Sequence, residues 1–290
     1  IKYRAERSLE IEEVPTAGEI YLKTIDYLKK QKFLKFSQVE KILRNNFLSD
    51  YPLGYIIKDK KNEIVGFMGT IFSRRNLNKK EYIFCNIHSW IVDEEHRINS
   101  FLLLTPLIEK KYTLTAFTPV KSLVGLLEKF EFKKINMKYV VTFNFGFFAK
   151  QNNFILEKND SEIKNKLSNH DLEIYKNYHK IDCEKFMILN KNDPSRNIFI
   201  LAAKTKKKGF NILNFFYISN IEEFRSNWKN FKSNILREFN VNFCSQYFFD
   251  DSDLALPKNM LFKKQIYKEI CIKDFPRDMK LNIVYSDLIS

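Results

Sequence analysis

The apolar and polar positions change period most sharply between Glu81 and Lys111. Tyr82 to Val92 is rich in aromatic and β-branched residues and predicts a strand. Asp93 to Asn99 carries no apolar residue but Ile98, and Phe101 to Ile108 is apolar enough for a buried helix face. A strand feeding a helix through a polar turn with an Arg is a natural phosphate site. The helix N-terminus presents N–H groups and a partial positive charge. Asn99 or Ser100 would cap this helix, and Pro106 within it predicts a kink or a short first segment.

The flanks follow the same logic. Ser8 to Val14 alternates and predicts a first strand, and Ala17–Lys32 and Ser37–Asn46 predict two helices. Gly54–Asp59 and Glu63–Phe72 predict a hairpin, followed by a basic loop from Arg74 to Lys80. Tyr112–Ala116 predicts a short strand. Thr118 then reads as an N-cap and Pro119 as the first helical residue. Phe132–Asn144 predicts a long strand.

Residues 146 to 165 are polar and predict a boundary, giving units 1–148 and 149–290. Beyond it, Glu184–Leu189, Ile198–Ala203, Phe210–Ile218, Val241–Phe248 and Leu281–Tyr285 predict strands. Lys204–Gly209 predicts a basic turn, and Ser219–Phe239 a helix with a Ser219/Glu222 capping box.

Three pieces, in order, resemble the GNAT superfamily of N-acetyltransferases. Trp90-Ile91-Val92-Asp93-Glu94-Glu95-His96-Arg97 is similar to its motif A. Gly54–Asp59 with Glu63–Gly69 resembles its central hairpin, and Leu126–Phe132 its helix-to-strand segment. The resemblance spans roughly residues 8 to 145. It implies an α+β fold with a mixed, mostly antiparallel sheet flanked by helices. It also implies acyl-CoA, as acetyl-CoA or a longer ester, held by Ile91, Val92, Arg97, Ile98, Asn99 and Ser100. Hairpin, long strand, helix and strand recur after residue 149, so the second half reads as a degenerate GNAT-like copy or an α+β unit. The sequence departs from the family where Ser100 and Leu102 stand at glycine positions of the turn. It departs again where Leu127 replaces the tyrosine that protonates departing CoA.

His88, Glu81 and Thr118 are the candidate catalytic residues. Histidine titrates in the range that amine deprotonation needs. His96 is a further candidate in the turn. Cys85 as a nucleophile lacks a placed histidine partner. The resemblance implies a small-molecule amine as acceptor, an amino-sugar nucleotide among the options, and no metal. A GNAT-fold module that binds without catalysis is the alternative reading.

The 49 Lys and Arg against 35 Asp and Glu give a net charge of +14, which raises nucleic acid as a partner through Arg74, Arg75 and Lys206–Lys208. No helix-turn-helix, zinc-finger or RNA-recognition signature accompanies them. The four cysteines are widely spaced and form no C-x-x-C pair. With no apolar run of about 18 residues, the pattern predicts a cytoplasmic chain without a membrane span.

Overall fold

A computed structural model of the chain describes residues 9–34, 36–44, 47–77, 79–143, 153–179, 181–207, 209–256, 266–277, 279, 281, 283 and 284. Its strands are β1 (Glu10–Val14), β2 (Gly54–Lys58), β3 (Ile64–Leu77), β4 (Lys80–Val92), β5 (Thr113–Ala116) and β6 (Lys133–Phe143), then β7 (Phe154–Glu157), β8 (Glu184–Asn190), β9 (Ile198–Lys207), β10 (Phe210–Ile218), β11 (Phe243–Phe248) and β12 (Ile266–Lys273). All twelve lie in one sheet, in the order β1-β2-β3-β4-β5-β12-β6-β11-β10-β9-β8-β7. Only β4·β5 and β10·β11 pair parallel; every other neighbour is antiparallel. The order is therefore a palindrome about the central β12·β6 pair.

Helices cover both faces. The helices are α1 (Glu19–Lys30), α2 (Phe36–Arg44), α3 (Thr105–Glu109), α4 (Lys121–Lys129), α5 (Asp160–Lys166), α6 (Asn169–Asn177) and α7 (Ile221–Phe239), with a 3-10 helix at Glu94–Leu104. Successive residues of β12 assign the faces. Cys271 packs with Leu107, Val124 and Leu127 of α3 and α4, whereas Ile270 and Ile272 pack with Ile163 and Ile174 of α5 and α6. Among the described residues, no helix is long and apolar enough to cross a membrane.

Several elements depart from their predicted form. The basic segment after Phe72 is strand, because Arg74↔Ile83, Arg75↔Tyr82 and Asn76↔Glu81 extend the hairpin. Arg74 Nε lies 3.3 Å from Glu81 Oε1, and the Arg75 guanidinium stacks 4.1 Å from the Phe84 ring centroid. These contacts settle the charged residues within the ladder. The predicted turn at Lys204 likewise begins as strand, running to Lys207. The 148/149 boundary lies outside the described residues, and the polar stretch after it already forms β7 and α5.

Asn220, rather than Ser219, caps α7 by accepting from Glu223 N at 3.0 Å, while Ser219 Oγ accepts from Phe199 N. Leu281, Ile283 and Val284 are not strand, and they pack on the α5–α6 face.

Ile270 is fully buried, pairs with Ile135 at the centre of the sheet, and tests this arrangement. Truncation to Ala should cost about 2–5 kcal/mol through lost burial and a cavity. Because β12 joins both sides of the sheet, thermal unfolding should shift as one transition. A melt in which one half unfolds at its original temperature would show that β12 does not couple them.

Candidate active site

Strands β4 and β5 share three rungs, Phe84↔Thr113, Cys85↔Leu114 and Asn86↔Thr115, and then part. Buried Thr115 Oγ1 donates to buried Asn86 Oδ1 at 3.3 Å on the last rung. From there β5 stays with β12, through Leu114↔Lys273, Thr115↔Ile272 and Ala116↔Cys271. Meanwhile β4 stays with β3 and bulges. The register slips between Gly69↔His88 and Phe67↔Ile91, and Ser89 adopts φ 46. A bulge bends a strand and strengthens its twist, so it aims the following residues away from β5.

The parting leaves a cavity of about 330 Å³. His88, Ser89, Trp90 and Ile91 line it from β4; Phe33 and Leu34 come from the segment after α1; Thr118, Val120 and Leu123 come from the approach to α4 and its first turn. The walls are mainly apolar, with His88, Ser89 and Thr118 as polar points, a composition typical of small-molecule sites.

His88 is 7% exposed. Its Nδ1 lies 3.0 Å from Ser89 Oγ, with the donor set by the tautomer. When Nδ1 carries the proton and donates to Ser89, Nε2 is left as an acceptor, the form able to take a proton. The ring lies against the backbone of Gly69. A Cβ there would stand 2.7 Å from Nε2 and 2.9 Å from Nδ1.

The bulge corrects two expectations of simple alternation. His88 does not share a face with Trp90: Trp90 packs with the α3–α4 core, whereas Phe67 and Ile91 pack with α1 and α2, and His88 pairs with Gly69 on that same side. Ser89, expected opposite His88, touches its ring. Cys85 lies fully buried in the α3–α4 core, and burial pushes its thiol well above the usual range, so it stays protonated.

Of the other candidates, Glu81 sits at the opposite end of β4, beside Arg74, and does not line the cavity. Thr118 lines the cavity but is not a cap. The N-cap of α4 is Val120, with ψ 152 and no side-chain bond. The helix starts where Val124 and Leu127 can bury, two residues later than the Thr-Pro pair implies.

The turn also differs from its reading. The 3-10 helix starts directly at the strand end, with His96 N donating to Asp93 O at 2.9 Å. Asn99 and Ser100 therefore lie inside a helix instead of capping one, and Pro106 falls where 3-10 winding gives way to α. Arg97 and Ile98 face solvent, Arg97 Nη1 lies 3.7 Å from Glu94 Oε1, and Asn99 is buried. Val92 packs with the α3–α4 core. Tyr27 braces the strand end by donating to Asp93 Oδ1 at 3.0 Å; burial and the Asp93 charge push its phenol up, which keeps that proton in place.

Phe33, Leu34, Val120, Leu123 and Gly69 were not singled out from the sequence. The first four belong to elements distant in the chain, and only the parting of β4 and β5 gathers them. Gly69 within Gly66-Phe67-Met68-Gly69 did carry a signal, since glycine inside a strand often marks close approach.

The fold is similar to that of a GCN5-related N-acetyltransferase from Anabaena variabilis, at 12% identity and TM-score 0.61, over 91% of this chain and 72% of that one. A GCN5-related N-acetyltransferase from Kribbella flavida is similar at 12% identity and TM-score 0.58, over 91% of this chain and 70% of that one. So is the glucosamine N-acetyltransferase region of a fungal multi-domain GH3 β-N-acetylglucosaminidase, at 10% identity and TM-score 0.58, over 93% of this chain and 38% of that one. No family model and no curated protein matches the sequence. The chain has the GNAT fold, with a mixed, mostly antiparallel sheet flanked by helices.

Gly69→Ala should force the His88 ring off the β3 backbone. Overpacking of this kind costs about 1–3 kcal/mol, so the fold should survive. The His88 ring resonances, followed by NMR, should move, while those of His170 stay. Unmoved His88 resonances would mean that the imidazole is not held against Gly69.

Proposed function

We propose that the chain is an acyl-CoA-dependent N-acyltransferase that acts on the amine of a small molecule. The observation that carries this reading is the cavity where β4 and β5 part, with a buried histidine on its wall. The pantetheine arm of acyl-CoA fits a gap with apolar walls and two strand edges, and the bulge at Ser89 turns backbone groups of β4 toward it. The diphosphate would lie at the turn after Val92, on the N–H groups that open the 3-10 helix. Residues 1–148 and 149–290 would be two GNAT-like units, of which the first holds the acyl-CoA.

In the reaction, an amine nitrogen bonds to the thioester carbon and the C–S bond breaks. His88 Nε2 takes the amine proton once its ring turns from the Gly69 backbone toward the cavity, because that atom is buried in the unliganded chain, and Ser89 holds the tautomer that permits it. The negative charge that develops on the carbonyl oxygen is met by backbone N–H groups along the parted edge of β4. CoA leaves as a thiolate and takes a proton from solvent at the exposed rim beside Thr118, while His88 returns the amine proton to solvent. Amino-sugar nucleotides are the acceptors to assay first, since the fungal region with this fold is a glucosamine N-acetyltransferase region.

One observation favours a module that binds without catalysis. Asp93, Glu94 and Glu95 place three carboxylates beside Arg97, and the turn has no glycine. Calorimetry with acetyl-CoA and longer acyl-CoAs separates the readings. The transferase reading expects saturable heat and thermal stabilisation. No heat at millimolar ligand, from folded protein, would favour the module.

Two substitutions then divide the site. His88→Gln should lower kcat roughly a hundred- to ten-thousandfold while acyl-CoA affinity stays close to wild type. Arg97→Ala should weaken acyl-CoA binding about ten- to a hundredfold, the worth of a charge-assisted hydrogen bond, at unchanged melting temperature. Its exposed contact with Glu94 contributes little to the fold. Equal affinity in the Arg97 variant would remove the diphosphate from this turn.

A further inference from the structure

Asp93 stands at the N-cap of the 3-10 helix Glu94–Leu104, and aspartate is among the strongest capping residues. Its backbone, at φ −58 and ψ 145, already has the extended form that a cap requires. Yet its side chain makes no capping hydrogen bond. Two other aspartates begin 3-10 helices, at Pro194–Arg196 and Asp251–Asp253, and both behave as the residue type predicts. Asp193 Oδ1 accepts from Ser195 N at 3.0 Å, and Asp250 Oδ1 accepts from Ser252 N at 2.8 Å. The corresponding donor after Asp93 is Glu95 N.

What differs at Asp93 is a phenol. Tyr27 OH donates to Asp93 Oδ1 at 3.0 Å. Tyr27 is 6% exposed and lies on the buried stripe of α1 with Thr24 and Leu28, so packing fixes where its hydroxyl ends. That stripe packs with Phe67 of β3 and Ile91 of β4, two residues before Asp93. The backbone of Asp93 is held as well, with its N donating to Val65 O at 2.9 Å. The carboxylate is therefore drawn toward α1 while the backbone stays in place.

We propose that Tyr27 is a positioning residue for acyl-CoA: it draws the Asp93 carboxylate off the helix start and so keeps the Glu95 N–H for the diphosphate. The inference rests on the transferase reading, which sets the diphosphate at this turn. A carboxylate that capped the helix would take a donor the anion needs and would repel the anion besides. The next carboxylate along the turn, Glu94, lies beside Arg97, with Oε1 3.7 Å from Nη1.

The test is a double-mutant cycle of Tyr27→Phe and Asp93→Ala in the full chain. It is read by calorimetry with acetyl-CoA and by amide exchange at Glu95 in the ligand-free protein. Alanine is used because asparagine would itself cap. Tyr27→Phe should release the carboxylate to cap and slow exchange at the Glu95 amide. It should also weaken acetyl-CoA about tenfold, the worth of a cap that the ligand must displace. Adding Asp93→Ala should reverse both effects, and it strands no polar group, since both partners of the hydrogen bond are then gone. A merely structural Tyr27 would not be rescued by removing its partner. Unchanged Glu95 exchange in Tyr27→Phe, or a weakening that Asp93→Ala leaves in place, would overturn the inference while the transferase reading stands. Slowed Glu95 exchange with unchanged acetyl-CoA affinity would move the diphosphate off this turn and end the role of Tyr27. No acetyl-CoA binding by the wild type would overturn the transferase reading itself, and Tyr27 would then have no ligand to position.

Discussion

Three rungs of parallel pairing between β4 and β5 decide where this molecule opens a cavity. Pairing continued to Ala116 would close the sheet and leave no room for a ligand. Two constraints hold the strands apart. On one side β12 keeps β5 through Ala116↔Cys271. On the other, β3 keeps β4 while the bulge at Ser89 turns it aside. The Thr115–Asn86 hydrogen bond pins the point of divergence. His88 depends on the same arrangement, because its ring occupies space that only a glycine on β3 leaves open.

The central pair of the palindrome explains why the halves cannot be treated separately. Strand β12 follows the second half in sequence, yet it lies beside β5 of the first, and β6 lies beside β11 of the second. The fork between β4 and β5 is thus propped open by a strand from the far end of the chain.

Much of the first half was legible in the sequence because its elements are local. The aromatic and β-branched run Tyr82–Val92 read correctly as a strand and the segments before it as helices, and the order of three motifs pointed to the GNAT fold. What failed depended on distant partners. The apolar run Ile270-Cys271-Ile272 could have revealed β12, but its place between β5 and β6 is set by tertiary pairing. A bulge shifts faces without altering composition, so simple alternation along β4 puts Trp90 and Ser89 on the wrong sides of His88. Glu81 was close to His88 in sequence and motif, yet a straight strand carries it to the far end. Thr118 was right as a cavity residue and wrong as a cap, since buried Val124 and Leu127 set where α4 begins.

The central claim is that acyl-CoA enters the fork between β4 and β5. Hydrogen–deuterium exchange with and without acetyl-CoA tests it most directly, because it locates protection along the chain without an assumed acceptor. The account predicts slowed exchange in residues 87–104 and 117–123, with β9, β10 and α7 unaffected. Protection confined to β9, β10, β11 and α7, or none anywhere at saturating acetyl-CoA, would contradict it.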